Sequence, residues 1–435
     1  MLSRRSLLSS GALAAGSLGS FACGGAPQNT AAPAAAPAST EPPSIAALTP
    51  MKDGVTPISR EERAARVERA RTLMAEQKID ALMLTGGTSL VYFSGIRWGL
   101  SERLFTLVIP KSGEPFVVTP AFEEDRASEQ FATSPFTGTP DVRTWEEHES
   151  PYQRVAQGLK DRGITSGRVG IEETVRHMFV DGLAKAAPGL TMVSGTPISA
   201  GCRIVKDEHE LALMKHASAV TLKAYEAAWK ALKPGMTQND FQRLISQAHD
   251  KLGYAGGASA QTAEFSALPH GSITPQVIKE GDVILIDGGC AVEGYQSDIS
   301  RTFVLGKATD KMKQVFEIEL AAQTAALKAA KPGVPCEAVD AAARKVIEDA
   351  GYGPGYKFFT HRVGHGMGMD GHEWPYLVKG NTLPLAPGMV FSDEPGIYIR
   401  GEFGVRLEDD MYITADGAAL MTPQSRSIEQ PFATS

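Results

Sequence analysis

Hydrophobic residues between positions 59 and 200 form short clusters that alternate with amphipathic stretches. Apolar positions at helical spacing predict helices over Glu61–Gln77 and Tyr152–Arg162. Short apolar runs bounded by turn residues predict strands at Ala81–Leu84, Phe105–Ile109, Phe116–Val118 and Val169–Ile171. This alternation predicts an α/β domain that ends near residue 200.

From residue 201 onward the pattern changes to long helices followed by strands, and it occurs twice. The helices predicted over 208–232 and 311–330 each end at Lys-Pro-Gly, because proline cannot continue a helix and glycine suits the turn after it. A further helix follows each stop, near Asn239 and near Glu337. The second half of the chain is therefore predicted to be internally duplicated, with two helices and a hairpin in each unit.

Each predicted hairpin has an acidic residue on both arms. Apolar runs that begin with glycine end in Asp287 and in Glu394, and Asp298 and Glu408 follow them. An approximate two-fold axis would bring the four carboxylates together, where two like charges 4 Å apart repel by about 4 kcal/mol at an effective dielectric of 20. Solvent-facing strand positions would account for them less well, since both runs are apolar. A divalent metal site is the simplest neutralising partner.

Histidines are concentrated in glycine- or proline-rich segments of the same half. His361 and His365 lie in His-Arg-Val-Gly-His-Gly-Met-Gly, His372 begins His-Glu-Trp-Pro, and His270 lies in Leu-Pro-His-Gly. A single histidine is usually an ordinary core or surface residue. Four beside candidate carboxylate ligands indicate an active site.

The composition is that of a globular protein and excludes some functions. The 435 residues predict two or three domains, with 43% hydrophobic and 21% charged residues. A net charge of −7 without a basic stripe predicts no nucleic-acid partner. The cysteines are too scattered for a zinc knuckle or a disulfide framework; they are Cys23, Cys202, Cys290 and Cys336.

Residues 1–22 have the pattern of an export signal. Arg4 and Arg5 precede an apolar run, 7–18, that is too short for a stable membrane anchor. The arginine pair is typical of twin-arginine export, and a general secretory signal is the alternative. Either route predicts a periplasmic or cell-envelope location.

Cys23 has two interpretations. Ser20-Phe21-Ala22-Cys23 resembles a lipoprotein cleavage box, although leucine is absent three residues before the cysteine, and the small residues also suit ordinary signal cleavage. The Ala/Pro-rich stretch 23–57 is predicted to be a linker, and it favours a lipid tether at Cys23 because a tethered domain needs a spacer.

Four segments together resemble the pita-bread metallopeptidases, which include methionine aminopeptidase, aminopeptidase P, prolidase and the related creatinase. They are Asp287 with Ser-Asp-Ile-Ser-Arg-Thr-Phe at 297–303, Gly-His-Gly-Met-Gly at 364–368, Asp-Glu-Pro-Gly-Ile-Tyr at 393–398, and Arg-Leu-Glu-Asp at 406–409. The resemblance implies a creatinase-type α/β N-terminal domain over 58–200. It also implies a pseudo-two-fold pita-bread catalytic domain over 201–435.

The resemblance also implies a metal centre with two divalent ions per subunit. Asp287 would bind one metal, Asp298 and Glu408 would bridge both, and His365 and Glu394 would complete the other. These ligands suit manganese first, with cobalt, iron or zinc as alternatives. A bridging water would lose a proton near neutral pH and attack the scissile carbonyl.

Further roles follow from the same resemblance. Glu394 would carry a proton to the leaving nitrogen. His270 and His372 would hold the substrate and stabilise the oxyanion. His361 and Arg406 resemble the positions around the proline and its carboxylate in prolidase-like members.

The motifs around His361 and His372 are closer to prolidase and aminopeptidase P than to methionine aminopeptidase. They imply cleavage of peptides with proline at the second position. Two alternatives remain open: a creatinase-like hydrolase of non-peptide C–N bonds, and a non-catalytic tethered binding protein. Retention of the complete ligand set counts against both.

The segment Val91–Trp98 resembles a family loop that reaches into the partner's active site in a homodimer. Arg97, Trp98 or Arg103 would then cap the substrate. The alternative is an ordinary surface turn.

Overall fold

The computed structural model describes residues 41–136 and 140–432. The predicted export signal, the tether at Cys23 and most of the predicted linker lie outside these residues. No helix within the described ranges is long and apolar enough to cross a membrane.

The N-terminal part is a mixed sheet flanked by helices. Its strands are β1 Ala81–Leu84, β2 Thr106–Pro110, β3 Phe116–Pro120, β4 Val142–Trp145, β5 Gly167–Ile171 and β6 Leu190–Ser194. They form one six-stranded sheet in the order β4-β3-β2-β1-β5-β6, with β1–β2 and β2–β3 antiparallel and the other pairs parallel. The helices of this part are α2 Arg60–Gln77, α3 Thr88–Ser94, α4 Glu124–Thr133, α5 Pro151–Asp161, α6 His177–Ala186 and α7 Thr196–Arg203. A short helix before them, α1 Pro43–Ala46, packs against the C-terminal part.

Helix α2 begins where its sequence provides a capping box. The Ser59 hydroxyl accepts a hydrogen bond from the backbone N–H of Glu62, and the Glu62 carboxylate accepts one from the N–H of Ser59. Two N–H groups that the helix leaves without partners are satisfied in this way. The predicted start at Glu61 is therefore one residue late.

The C-terminal part contains two units of the same design. Each has two helices followed by a sheet, and the second unit has additional strands. The first unit comprises α8 Glu208–Ala231, α9 Gln238–Leu252, β7 Gly256–Thr262, β8 Val283–Val292, β9 Tyr295–Gln296 and β10 Ile299–Val304. The second comprises α10 Asp310–Ala329, α11 Cys336–Asp349, β11 Gly364–Gly366, β12 Glu373–Leu377, β13 Val390–Asp393, β14 Gly396–Ile399, β15 Phe403–Arg406, β16 Asp409–Ile413 and β17 Ala418–Leu420.

The strand pairing has the same order in the two units. In the first, β8 lies between β7 and β10; in the second, β13 lies between β11 and β16. Both central strands pair antiparallel with both neighbours. The duplication predicted from the Lys-Pro-Gly stops and the acidic hairpins is thus present in the fold, and it places the two hairpins at equivalent positions.

Residues 43–51, inside the predicted linker, make contacts with the C-terminal part. Ile45 on α1 is fully buried in a cluster with Leu213 and Met214 of α8, and the N–H of Met51 bonds to the carbonyl of Leu252. The Ala/Pro-rich composition of this stretch gives no sign of its few buried apolar residues, because they are stabilised by contacts with residues distant in sequence.

Candidate metal centre

Of the four carboxylates predicted from the hairpins, Asp287 lies within a strand and the other three lie beside strand ends. Asp287 lies on β8 opposite Ser300 of β10, and Asp298 immediately precedes β10. Glu394 immediately follows β13, and Glu408 immediately precedes β16. The strand register therefore directs acidic residues from both repeats into one space, as the approximate symmetry predicts.

The side chains converge closely enough to share cations. Ligand atoms of Asp287, Asp298 and Glu408 all lie within 4.8 Å of one another, and those of His365, Glu394 and Glu408 do so as well. Glu408 belongs to both groups. The structure brings together all five residues that the sequence nominated as ligands, with two groups of three donors joined at a shared carboxylate.

His365 is oriented for metal binding. Its Nδ1 lies 3.1 Å from the carbonyl oxygen of Gly366, which can only accept, so Nδ1 carries the proton. The Nε2 lone pair then faces Glu394 and Asp298, at 3.3 and 3.8 Å. A backbone carbonyl that fixes the tautomer of a ligating histidine is a recurrent feature of metal sites.

Without a cation the carboxylates strongly disfavour being charged together. Burial, followed by the charge of Asp287, raises the pKa of Asp298 well above its ordinary value, although 22% of this side chain faces the cavity. Burial and the charge of Asp298 do the same to the pKa of Glu408. Burial raises the pKa of Glu394 to about 7 against the opposing charge of Arg406.

The mutual repulsion of these buried carboxylates indicates that the site suits a bound cation. Four carboxylates and one neutral imidazole form an oxygen-rich donor set that suits divalent transition metals. Bound cations would replace the protons that the isolated cluster must otherwise retain. The residues present therefore fit a divalent metal centre.

Two buried side chains, those of Ser300 and Arg406, hold candidate metal ligands in place. Ser300 Oγ lies 2.9 Å from Asp287 Oδ1 and 2.5 Å from Glu408 Oε2. Arg406 Nη2 lies 2.7 Å from Asp287 Oδ2, and Arg406 Nε donates to Ser300 Oγ over 2.9 Å. Ser300 was not nominated from the sequence, although its place two residues after Asp298 predicts a side chain on the same face.

Arg406 and His361 belong to one chain of hydrogen bonds. The Tyr398 hydroxyl accepts from Arg406 Nη1 over 3.1 Å and lies 2.7 Å from His361 Nε2. His361 Nδ1 lies 2.8 Å from the carbonyl of Arg362, so this nitrogen is the donor and Nε2 accepts from Tyr398. Burial and the charge of Arg406 lower the pKa of His361 to about 3, which keeps the ring neutral. Tyr398 had no role in the sequence analysis.

His372 lies against the metal ligands on the open side. Its ring stacks on His365 with centroids 3.7 Å apart and an interplanar angle of 14°. Its Nδ1 lies 3.2 Å from Arg362 Nη2. Because arginine can only donate, Nδ1 is the acceptor, and the neutral ring carries its proton on Nε2. That proton is available to a substrate oxygen.

These residues line a cavity of about 590 Å³, which falls within the usual range for small-molecule sites. Its walls include His270, His361, Arg362, His365, His372 and Arg406 together with the four carboxylates. His270 is exposed on the loop that follows Ala263–Ala267. Every catalytic and metal-binding residue nominated from the sequence is therefore present at this cavity.

Arg97 and Trp98 do not line this cavity within the single chain. Residues 91–94 belong to α3, so the irregular segment begins at Gly95. Arg97 is exposed, and the Trp98 ring stacks on Phe105 with centroids 4.0 Å apart. Their contribution to a partner's site stays a prediction.

Two family models match the chain in consecutive ranges. The Creatinase/Prolidase N-terminal domain matches residues 66–205, and Metallopeptidase family M24 matches residues 212–415. An Xaa-Pro dipeptidase from Lactobacillus delbrueckii subsp. lactis is 33% identical over 374 residues, covering 83% of this chain and 98% of the relative.

The chain belongs to metallopeptidase family M24. Its fold is the one expected from the sequence, a creatinase-type N-terminal domain followed by a pita-bread domain. The M24 chain superimposes on dipeptidase PepE from Mycobacterium ulcerans with a TM-score of 0.79 and 32% identity, covering 86% of this chain and 99% of PepE. A prolidase from Thermococcus sibiricus gives a TM-score of 0.75 and 28% identity, covering 85% and 98%.

Proposed function

We propose that this protein is a two-metal peptidase that hydrolyses the bond between any residue and a following proline. The observation that carries the proposal is the convergence of Asp287, Asp298, His365, Glu394 and Glu408 at one cavity, with Glu408 common to two groups of donors. Relatives named Xaa-Pro dipeptidase and prolidase support the choice of substrate.

Two divalent ions would supply Lewis-acid activation of water and of the scissile carbonyl. Manganese is the first candidate because oxygen donors dominate the set, and cobalt, iron and zinc remain compatible with its single imidazole.

The protein's own side chains provide the remaining steps. Water adds to the carbonyl carbon, and the Glu394 carboxylate accepts its proton and passes it to the proline nitrogen as the C–N bond breaks. His372 keeps its Nε2 proton and donates a hydrogen bond from Nε2–H to the carbonyl oxygen as negative charge develops there. His270, exposed at the cavity wall, is placed to hold the substrate.

Proline at the second position fits this arrangement for a simple reason. The bond to proline is a tertiary amide without N–H, so an enzyme that binds the scissile N–H cannot hold it. The arrangement proposed here needs only the carbonyl oxygen. Dipeptides are the proposed substrate class, since the relatives include an Xaa-Pro dipeptidase and the dipeptidase PepE.

The cellular setting is also proposed from the sequence. Arg4 and Arg5 before an apolar run support export, and Cys23 ahead of an Ala/Pro-rich stretch supports a lipid tether on the cell-envelope side. Arg97 and Trp98 support a homodimer in which they cap the partner's substrate.

The proposal is tested by assaying purified protein, supplied with Mn²⁺ or Co²⁺, on Ala-Pro, Met-Pro and Ala-Pro-Gly, with Ala-Ala as the control. We expect turnover of the proline dipeptides in preference to Ala-Ala. Absence of cleavage of every proline peptide with either metal would contradict the proposal. Hydrolysis of creatine instead would favour a non-peptide C–N substrate.

A further inference from the structure

The loop that carries His372 is tied to the N-terminal domain by a buried ion-pair network. We define the His372 loop as residues 368–374, which follow β11 and include the first two residues of β12. Arg203, the last residue of α7, is 6% exposed and reaches across to this loop. Its Nη2 lies 2.5 Å from Asp370 Oδ2 and 2.5 Å from Glu373 Oε1. One guanidinium therefore bridges the residues on both sides of His372.

The bridge is reinforced within the loop. Glu373 Oε1 also accepts the backbone N–H of Asp370 over 3.0 Å, which closes the loop on itself. Glu373 Oε2 lies 3.4 Å from Lys206 Nζ. A Cβ at position 368 would lie 2.9 Å from both Glu373 Oε1 and Lys206 Cε, so Gly368 permits this close approach.

The N-terminal domain supplies further contacts to the same loop. Thr88 Oγ1 donates to Asp370 Oδ1, and Glu173 lines a small cavity together with Asp370 and Trp374. Arg203 Nη1 itself donates to Ser89 Oγ over 3.3 Å. Asp370, two residues before His372, is thus held by the other domain.

The charge states of Glu373, Lys206 and Arg203 favour the ion pairs that connect the His372 loop to the N-terminal domain. Burial alone would raise the pKa of Glu373, but Lys206 and Arg203 lower it below its ordinary value. Glu373 is therefore ionised at neutral pH. Arg203 lies opposite two carboxylates and remains a cation, which makes its contacts charge-assisted.

We infer that Arg203 is a positioning residue that holds His372 over the metal ligands, so that the N-terminal domain sets the geometry of the active site within its own chain. The His372 ring lines the cavity, where it stacks on His365 and accepts a hydrogen bond from Arg362. Those two contacts orient the ring, whereas the Arg203 bridge fixes the backbone from which the ring projects. This inference rests on the proposed function for its catalytic part only.

If Arg203 only stabilised the fold, replacing it would affect kcat no more than replacing another buried arginine between the two domains. The chain contains such an arginine, which serves as a matched control. Arg66 on α2 also makes a buried ion pair between the two domains, 3.3 Å from Glu210 on α8, and it donates to the Tyr295 hydroxyl over 2.7 Å. Arg66 is 6% exposed, as Arg203 is. None of its described contacts involves the His372 loop.

The test compares Arg203→Met with Arg66→Met in the full chain loaded with Mn²⁺. For Arg203→Met we expect kcat on Ala-Pro to fall about tenfold or more with KM little changed, because the lost interaction is made in the transition state. For Arg66→Met we expect kcat close to wild type. Hydrogen–deuterium exchange should accelerate in residues 368–374 only in Arg203→Met.

A second variant keeps the inference testable if Arg203→Met does not fold. The Asp370 side chain is 43% exposed, so Asp370→Ala removes one arm of the bridge without leaving an isolated buried charge. We expect the same kcat effect in weaker form. Combining Arg203→Met with His372→Ala should lower kcat no further than His372→Ala alone, because both changes act on one group.

Equal loss of kcat in the Arg66 and Arg203 variants would overturn the inference, as would unchanged exchange in the His372 loop. A wild-type protein inert on every Xaa-Pro peptide would contradict the proposed function instead. In that case the exchange comparison still decides whether Arg203 holds the loop, since it needs no substrate.

Discussion

Arg406 Nη2 lies 2.7 Å from Asp287 Oδ2, and the arginine is only 4% exposed. Its other nitrogens donate to Ser300, Tyr398 and the carbonyl of Pro269. The family resemblance implied that Arg406 binds substrate, and this stays a prediction. In the structure Arg406 lines the cavity, and it also holds Asp287, a candidate metal ligand. A planar guanidinium is suited to this task because it presents several donors in fixed directions.

Replacing Arg406 by lysine should therefore weaken the metal centre. Lysine keeps the charge but cannot contact Asp287, Ser300 and Tyr398 together. We expect metal affinity or activity to fall about 10- to 100-fold, as for other groups that orient metal ligands. Isothermal titration with Mn²⁺ and steady-state kinetics on Ala-Pro measure the two effects. A raised KM with unchanged metal affinity would instead support direct binding of the substrate carboxylate.

His372→Ala should act on the chemical step. The Nε2 proton assigned by the Arg362 contact is lost, and removal of one oxyanion donor costs about 10²- to 10³-fold in kcat in other hydrolases. His177, an exposed histidine at the start of α6, provides the control, and His177→Ala should leave kcat unchanged. Comparable kcat values for both variants would refute a catalytic role for His372.

Glu319→Gln should change how stability depends on pH. Glu319 on α10 is fully buried, and burial raises its pKa well above the ordinary 4.5, against the charge of Arg406. Above pH 4.5 the unfolded chain loses this proton while the folded chain retains it. Wild-type stability therefore falls with rising pH, by up to about 1.4 kcal/mol per unit from this group.

Glutamine removes that linkage, so the advantage of Glu319→Gln over wild type should grow from pH 5 to pH 8 in urea unfolding. Glu317→Gln on the exposed face of the same helix is the control and should show no such trend. A stability difference that is constant across this pH range would show that Glu319 is not held protonated.

Much of the fold could be predicted because the duplicated pattern is local. Lys-Pro-Gly marks the helix ends, and a glycine, an apolar run and a carboxylate mark each hairpin. The helix predicted over 208–232 differs from α8 by one residue. Four candidate ligands followed from the same pattern, since an acidic residue at the end of an apolar strand needs a cation or a proton to neutralise it. The fifth, His365, was assigned only through the family resemblance of its Gly-His-Gly-Met-Gly segment.

The supporting residues could not be predicted in this way. Ser300, Tyr398 and Arg203 act through contacts with residues far away in sequence, and serine, tyrosine and arginine have many ordinary roles. Ile45 was overlooked because one buried side chain in an Ala/Pro-rich stretch leaves no periodic pattern. The orientation of Arg406 depends on three strands at once.

If the protein is exported through the twin-arginine route, its export should depend on the arginine pair. Replacing Arg4 and Arg5 by lysine should leave the protein in the cytoplasm, because that pathway reads the arginine pair. Mass spectrometry of the mature N-terminus then tests Cys23, where a diacylglycerol-sized mass increase is expected. An unmodified residue downstream of Cys23 at the mature N-terminus would contradict the lipid tether.

The proposed chemistry depends on two metal ions held by Asp287, Asp298, His365, Glu394 and Glu408. Elemental analysis of the purified protein, equilibrated with Mn²⁺ and freed of excess metal, tests this dependence without intermediate steps. We expect about two ions per subunit for the wild type, and loss of both bound metal and turnover in Asp298→Ala, which removes one of the proposed ligands. One ion or none in the wild type, or full turnover in Asp298→Ala, would contradict a two-metal mechanism.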